Sequence, residues 1–279
     1  MMEQTDAMVN NPTIQMKMDH KIHDPVEILN AITASNDSGR LALGVYLIHG
    51  YPSLELSKQA FDLLQTYETT IFECGLPVAL LNGSNISTII KEAHNVASKT
   101  GISDEELLYF YASYRPNLLI HLKDEQRPNV EILRDRIQGS IDAVMTDNIE
   151  FLAMLERPLQ DQKLPLPIQF VSTFSEFPER NLSVKTMLVY LGVASRTGGE
   201  LLPSPQIQSA VDKVAKAAPN AKILCGFGIR TVSDVKRLSH IRGIHGLAIG
   251  TEAMRVLKEG ITDFKDWLSE IDRALFWET

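Results

Sequence analysis

Read as a succession of apolar and polar positions, the chain repeats one unit in kind: a short β-branched or apolar run, a polar loop, then a helical stretch. The runs cover residues 41–49, 69–74, 117–122, 141–146, 167–172, 186–193, 221–225 and 244–249, which makes eight candidate strands. Most lack strict period-2 alternation, as expected of strands buried on both faces. Between them apolar residues recur at helical spacing. Leu56, Ala60, Leu63 and Leu64 do so in 54–67, Val130, Ile132, Leu133 and Ile137 in 129–138, and Val211, Val214 and Ala215 in 207–218. Phe264, Trp267, Leu268, Ile271 and Leu275 share one face near the C-terminus. Another helix precedes the first strand: Asp24 can cap it, Pro25 suits its first turn, and Val26, Ile28, Leu29 and Ile32 form its apolar side up to Ser38 and Gly39. Eight strands alternating with helices predict an α/β protein, a closed (β/α)8 barrel. The gap after the second strand holds two helical patterns, 84–99 and 103–114, so the plain eightfold plan carries one extra helix there. The alternative is an open doubly wound sheet, but the first strand-to-helix turn reads Ile48-His49-Gly50-Tyr51-Pro52 and lacks a GxGxxG run. Residues 1–24 show no period and are expected to form a flexible arm. With only short Pro-bearing loops at 163–167 and 202–205, residues 25–279 are expected to form one barrel domain.

Composition narrows the partners. Lys and Arg total 27 against 35 Asp and Glu, a net charge of −8. That balance disfavours nucleic acid or an anionic membrane as partner. The longest apolar runs, 41–48 and 76–81, fall far short of the ~20 residues of a membrane helix. Two cysteines, Cys74 and Cys225, make no disulfide framework, and the polar, Met-rich N-terminal stretch has no apolar core. A cytoplasmic location is the expectation.

In such a barrel the chemistry lies at the C-terminal ends of the strands. The polar residues there are His49, Glu73, His121, Asp147, Ser195 and Arg196, followed by the turns Gly226–Gly228 and Gly250-Thr251. Glu73, between Ile71-Phe72 and Cys74-Gly75-Leu76-Pro77, is the sharpest candidate. A carboxyl group in an apolar strand end loses hydration, and its raised pKa suits a general acid or base; the structural alternative is an ion pair with a neighbouring cation. Phe227, Gly228, Gly250 and Thr251 form the second signal. Glycines after strands 7 and 8 let backbone amides approach an anion, and a helix start adds N–H donors. Glu252, beside Thr251, is discordant with a bound dianion. His49 and His121 are pocket candidates, or else packed, hydrogen-bonded histidines. No metal-ligand spacing is present and no cofactor is expected. Ser195 lacks a GxSxG context, and Lys123 sits in a charged loop, so neither reads as a nucleophile.

These residues resemble the tryptophan synthase alpha subunit and the stand-alone indole-3-glycerol-phosphate lyases. The resemblance runs from about Leu41 to the C-terminus. It is carried by Gly50-x-Pro52-Ser53-Leu54, Glu73-Cys-Gly-Leu-Pro77, Ser195-Arg196-Thr197-Gly198, Gly226-Phe-Gly-Ile229 and Gly250-Thr251. It implies a TIM-barrel lyase of tryptophan biosynthesis. Such an enzyme cleaves indole-3-glycerol phosphate to indole and glyceraldehyde 3-phosphate, with Glu73 as acid/base and the phosphate held at Gly228, Gly250 and Thr251, with Phe227 nearby. It also implies a beta-type partner subunit. The departures are specific. The family reads Phe-Ser-Asp-Pro-Leu-Ala-Asp-Gly after Glu-x-Gly-x-Pro. Here Val78-Ala79-Leu80-Leu81-Asn82-Gly83 is two residues shorter and puts Asn82 in place of the aspartate that takes the indole proton. The missing Ser-Asp-Pro segment is part of the beta-subunit contact, which argues against that partnership here. Tyr51 stands for a family aspartate, His121 for a tyrosine, and Gly198-Gly199-Glu200-Leu201 for the Gly-Val-Thr-Gly lid. Three readings follow: the lyase itself with a rewired second proton acceptor, a relative recruited to another carbon–carbon lyase reaction in specialised metabolism, or an inactive binding subunit.

Overall fold

The computed structural model describes residues 27–67, 70–79, 81, 84–122, 130–146, 148–155, 164–173 and 182–276. The expected arm, residues 1–24, lies outside them, as do Asn82, Lys123 and Asp147. The first half of the chain runs α1 (Glu27–Asp37), β1 (Ala42–Leu47), α2 (Leu54–Leu64), β2 (Thr70–Gly75), α3 (Thr88–Ala97), α4 (Asp104–Tyr111), β3 (Asn117–His121), α5 (Val130–Ile137) and β4 (Ala143–Thr146). The second half runs α6 (Ile149–Leu155), β5 (Leu166–Ser172), β6 (Leu188–Gly192), α7 (Ser204–Ala217), β7 (Lys222–Gly226), α8 (Val232–Ser239), β8 (Gly246–Ile249), α9 (Thr251–Glu259) and α10 (Ile261–Ala274). All eight strands pair in parallel with their sequence neighbours, and β1 closes on β8. The fold is the expected (β/α)8 barrel, with one helix before β1 and two between β2 and β3.

Most strands bury both faces, which explains the missing alternation; β5, where Phe170 is exposed, is the exception. Inward side chains fill the barrel: Ile71, Leu118, Ile168 and Leu224 interlock with the small Ala42, Ala143 and Ala248. Outward ones such as Val45, Phe72, Leu119, Val144 and Leu247 join the shell against the helices, together with Cys74 and Cys225. Helix α1 covers the N-terminal end of the barrel and puts Ile28 and Ile32, both fully buried, into the interior cluster. Three more helices, α6, α8 and α9, extend the set read from periodicity. Of these, α8 is set by a capping box in which Thr231 and Asp234 satisfy each other's backbone N–H. No helix among the described residues is long and apolar enough to cross a membrane.

Candidate active site

A cavity of about 510 Å³ opens at the C-terminal ends of the strands. Strand parity decides what lines it. The inward series 42, 44, 46 on β1 ends with Tyr46, and β2 offers Glu73. Ile120 and Leu122 follow on β3 and Met145 on β4, with Phe170 and Ser172 on β5 and Tyr190 on β6. Ile90 of α3 adds to the largely apolar wall.

Glu73 is the only carboxyl group among the described lining residues. It is 2% exposed, and its Oε1 has no hydrogen-bond partner among the described residues. Space for it comes from Gly44 on β1, where a Cβ would stand 2.8 Å from Oε1. Loss of hydration pushes its pKa to about 8 from an ordinary 4.5, so the group is protonated at neutral pH. No cation among the described residues offsets that shift, so the ion-pair alternative finds no partner among them. Two phenols stand near it. The Tyr46 hydroxyl passes over Gly75 and the Tyr190 hydroxyl over Gly226, where Cβ atoms would come within 2.2 and 2.1 Å. Burial first, then the negative potential of Glu73, holds Tyr190 well above its ordinary pKa.

Phe227, Gly228, Gly250 and Thr251 line the same cavity. Gly228 has φ +77°, and a Cβ there would meet the Ala194 Cβ at 2.7 Å and the Gly199 carbonyl at 2.8 Å. Phe227 is the one described non-glycine residue with positive φ, 72°, and its ring packs 5.5 Å from that of Phe170. Gly250 is the N-cap of α9 and makes no side-chain cap hydrogen bond. The first amides and positive dipole end of α9 therefore border the cavity, as an anion requires. Glu252 does not spoil this, because it pairs with Arg255 one turn on (2.7 Å) and lies outside the cavity lining.

Three rim segments are tied together. Thr197 donates its N–H to the Asn85 carbonyl (3.0 Å) and accepts the Ser87 N–H at its hydroxyl (2.7 Å). Ser87 Oγ in turn lies 3.2 Å from Thr251 Oγ1. Asn85, Thr197 and Gly198 all line the cavity, as does the exposed Ser195. In the sequence Thr197 stands out only as part of a motif, and Tyr46 and Tyr190 escape a search confined to strand ends. The signal that points to them is a single tyrosine on the inward parity of an otherwise apolar strand.

Three pocket candidates are corrected. His49 follows the inward Ile48 and so points outward. Its ring stacks on Phe110 of α4 at 3.7 Å, its Nδ1 lies 3.0 Å from Ser57 Oγ, and burial, aided by Lys58, lowers its pKa to about 4. Tyr51 is 2% exposed and packs with Ile90, Ala93 and Met254 beneath α3 and α9. His121, between the inward Ile120 and Leu122, faces α6 instead, with Nδ1 2.9 Å from Thr146 Oγ1 and its ring edge-on to Phe151. None of the three lines the cavity.

No family model matches the chain. A tryptophan synthase alpha chain from Pyropia yezoensis is 24% identical over 253 residues, which is 84% of this chain and 93% of that protein. Among solved structures, tryptophan synthase from M. tuberculosis in its aminoacrylate- and BRD0059-bound form superposes with a TM-score of 0.71 at 19% identity, covering 89% of this chain and 98% of that one. Tryptophan synthase subunit alpha from Legionella pneumophila str. Paris gives 0.72 at 15% identity, over 89% and 97% of the two chains. In sequence and in fold the chain is similar to tryptophan synthase alpha chains, at the distance of a divergent relative.

Proposed function

We propose that this chain is a carbon–carbon lyase that cleaves indole-3-glycerol phosphate to indole and glyceraldehyde 3-phosphate, with Glu73 as the acid/base. The observation that carries this reading is a buried carboxyl group of raised pKa that lines the same apolar cavity as a cradle of glycines and helix-start amides. The likeness to tryptophan synthase alpha chains supports it. Glu73 gives its proton to ring carbon C3. The carboxylate so formed takes the proton of the hydroxyl on the adjoining side-chain carbon. That O–H pair becomes the aldehyde C=O, the carbon–carbon bond breaks, and its electrons restore the aromatic ring. One group of raised pKa thus serves both steps. Apolar side chains around the ring and the amides of Gly228, Gly250 and Thr251 around the phosphate hold the substrate in place. Neither metal nor cofactor enters this scheme.

A second reading, recruitment to a different carbon–carbon lyase substrate, is favoured by one observation. In the sequence an amide, Asn82, takes the place of the family's second carboxylate, and the described lining holds no other acid. The shortened segment 78–83 also removes part of a beta-subunit contact, so the chain is expected to work alone. Purified protein incubated with indole-3-glycerol phosphate should release indole, and Glu73→Gln should stop it. Asn82→Asp should raise the rate. No indole from the wild type, with saturable binding of another phosphorylated compound, would transfer the assignment to the second reading.

A further inference from the structure

Tyr46 and His94 form a buried polar pair that the scheme above leaves unused. Tyr46 stands in register with Glu73 on the adjacent strand, shares its inward face and lines the cavity. Its hydroxyl lies 3.0 Å from Nε2 of His94, a wholly buried residue of α3. The Val78 backbone N–H points at the other ring nitrogen, Nδ1, at 3.1 Å. A backbone N–H only donates, so Nδ1 carries no proton and the imidazole proton sits on Nε2. Nε2–H therefore donates to the Tyr46 oxygen, and the phenol's own proton is turned toward a different acceptor. Burying an imidazole and a phenol where two apolar side chains could fill the same volume costs desolvation. The pair is thus better explained by its chemistry than by its packing. The glycine at position 75 is what lets the hydroxyl reach this place, since a Cβ there would come within 2.2 Å of it.

We propose that Tyr46 is a catalytic residue of this cavity, a neutral hydrogen-bond donor to the substrate oxygen that passes from hydroxyl through alkoxide character to aldehyde, and that His94 is its positioning residue. This rests on the reading of the chain as a retro-aldol lyase. Tyr46 exchanges no proton in the step. Glu73 takes the hydroxyl proton, and the Tyr46 O–H, fixed in direction by Nε2–H, strengthens its bond to the oxygen as negative charge gathers there. Such a donor supplies stabilisation from the β1 side in a chain whose sequence puts an amide in place of the family's second carboxylate.

The test is Tyr46→Phe in the full chain, which keeps the ring and removes only the hydroxyl. Turnover of indole-3-glycerol phosphate should fall about 100-fold in kcat with KM changed less than about threefold, the scale of losing one oxyanion donor. In the Glu73→Gln background, where nothing turns over, Tyr46→Phe should weaken binding of indole-3-glycerol phosphate. It should leave unchanged the affinity for indole-3-propyl phosphate, which keeps ring and phosphate but lacks both hydroxyls. His94→Gln, which can still offer a side-chain N–H, should retain more kcat than His94→Leu, and this pair decides the matter if Tyr46→Phe does not fold. Wild-type kcat in Tyr46→Phe overturns the proposal. So does an equal loss of affinity for both ligands, which would mark a packing role. If the wild type neither cleaves the substrate nor binds either ligand, the lyase reading itself fails and the assignment of Tyr46 falls with it.

Discussion

A protonated glutamate inside a barrel ties folding to pH in a definite direction. The folded-state pKa of Glu73, about 8, lies above its ordinary 4.5. Its contribution to stability is therefore fully present below about pH 4.5 and is lost as pH rises through 8. Relative to Glu73→Gln, whose amide stays neutral, the wild type should lose stability between pH 5 and 8.5, on the order of a few kcal/mol. Urea midpoints of both proteins at the two pH values measure this; parallel curves would show an unperturbed carboxyl. Catalysis should follow the same group. Because the first step of the proposed scheme needs the acid form, kcat/KM should fall about tenfold per pH unit above about 8. The glutamate is legible in the sequence, since desolvating a carboxyl group between Ile71-Phe72 and Cys74-Gly75 costs too much to serve packing alone. That no described cation partners it is not, because partners come from strands distant in sequence.

At the level of single elements, parity separates what the sequence tells from what it hides. Strand ends are legible from the apolar runs, and each of the eight strands lies within about two residues of its predicted span. The face on which a polar residue points is a separate question. His49 and His121 lie at strand ends, yet both fall on the outward parity and meet Phe110 and Phe151 instead of the cavity. The inward series through Ile120 and Leu122 already contains that answer. Turns are read more securely, because glycine there has a backbone reason. Gly228 has φ +77° and no room for a Cβ beside Ala194 and Gly199. Gly228→Ala should displace the anion cradle and weaken binding of glyceraldehyde 3-phosphate at least about tenfold. Affinity for indole alone, whose proposed wall is Ile90, Ile120 and Leu122, should stay within about twofold. Calorimetric titration of both ligands checks this, and equal losses would mean the whole cavity had moved.

Across the whole barrel, the candidate site and the α1 plug sit at opposite ends. The C-terminal end carries Glu73, the glycine turns and the rim hydrogen bonds through Thr197. The N-terminal end is plugged by α1 and braced by an Arg115–Asp142 ion pair, while Asp142 also accepts the Asn117 N–H at 2.8 Å. Ile32 belongs to this plug: it is fully buried and packs with Ala42, Ile71 and the other first inward residues of the strands. Ile32→Ala should leave a cavity and destabilise the fold by about 2–4 kcal/mol, readable in thermal or urea unfolding. Because the barrel interior stands between this plug and the site, kcat and KM at a temperature where the variant is folded should stay within about twofold of wild type. A change in kcat there would mean that α1 communicates with Glu73 through the interior cluster. The separation itself follows from the packing: Ile28 and Ile32 cluster with Ala42 and Ile71, whereas Tyr46 lies four residues and Glu73 two residues further along the same strands.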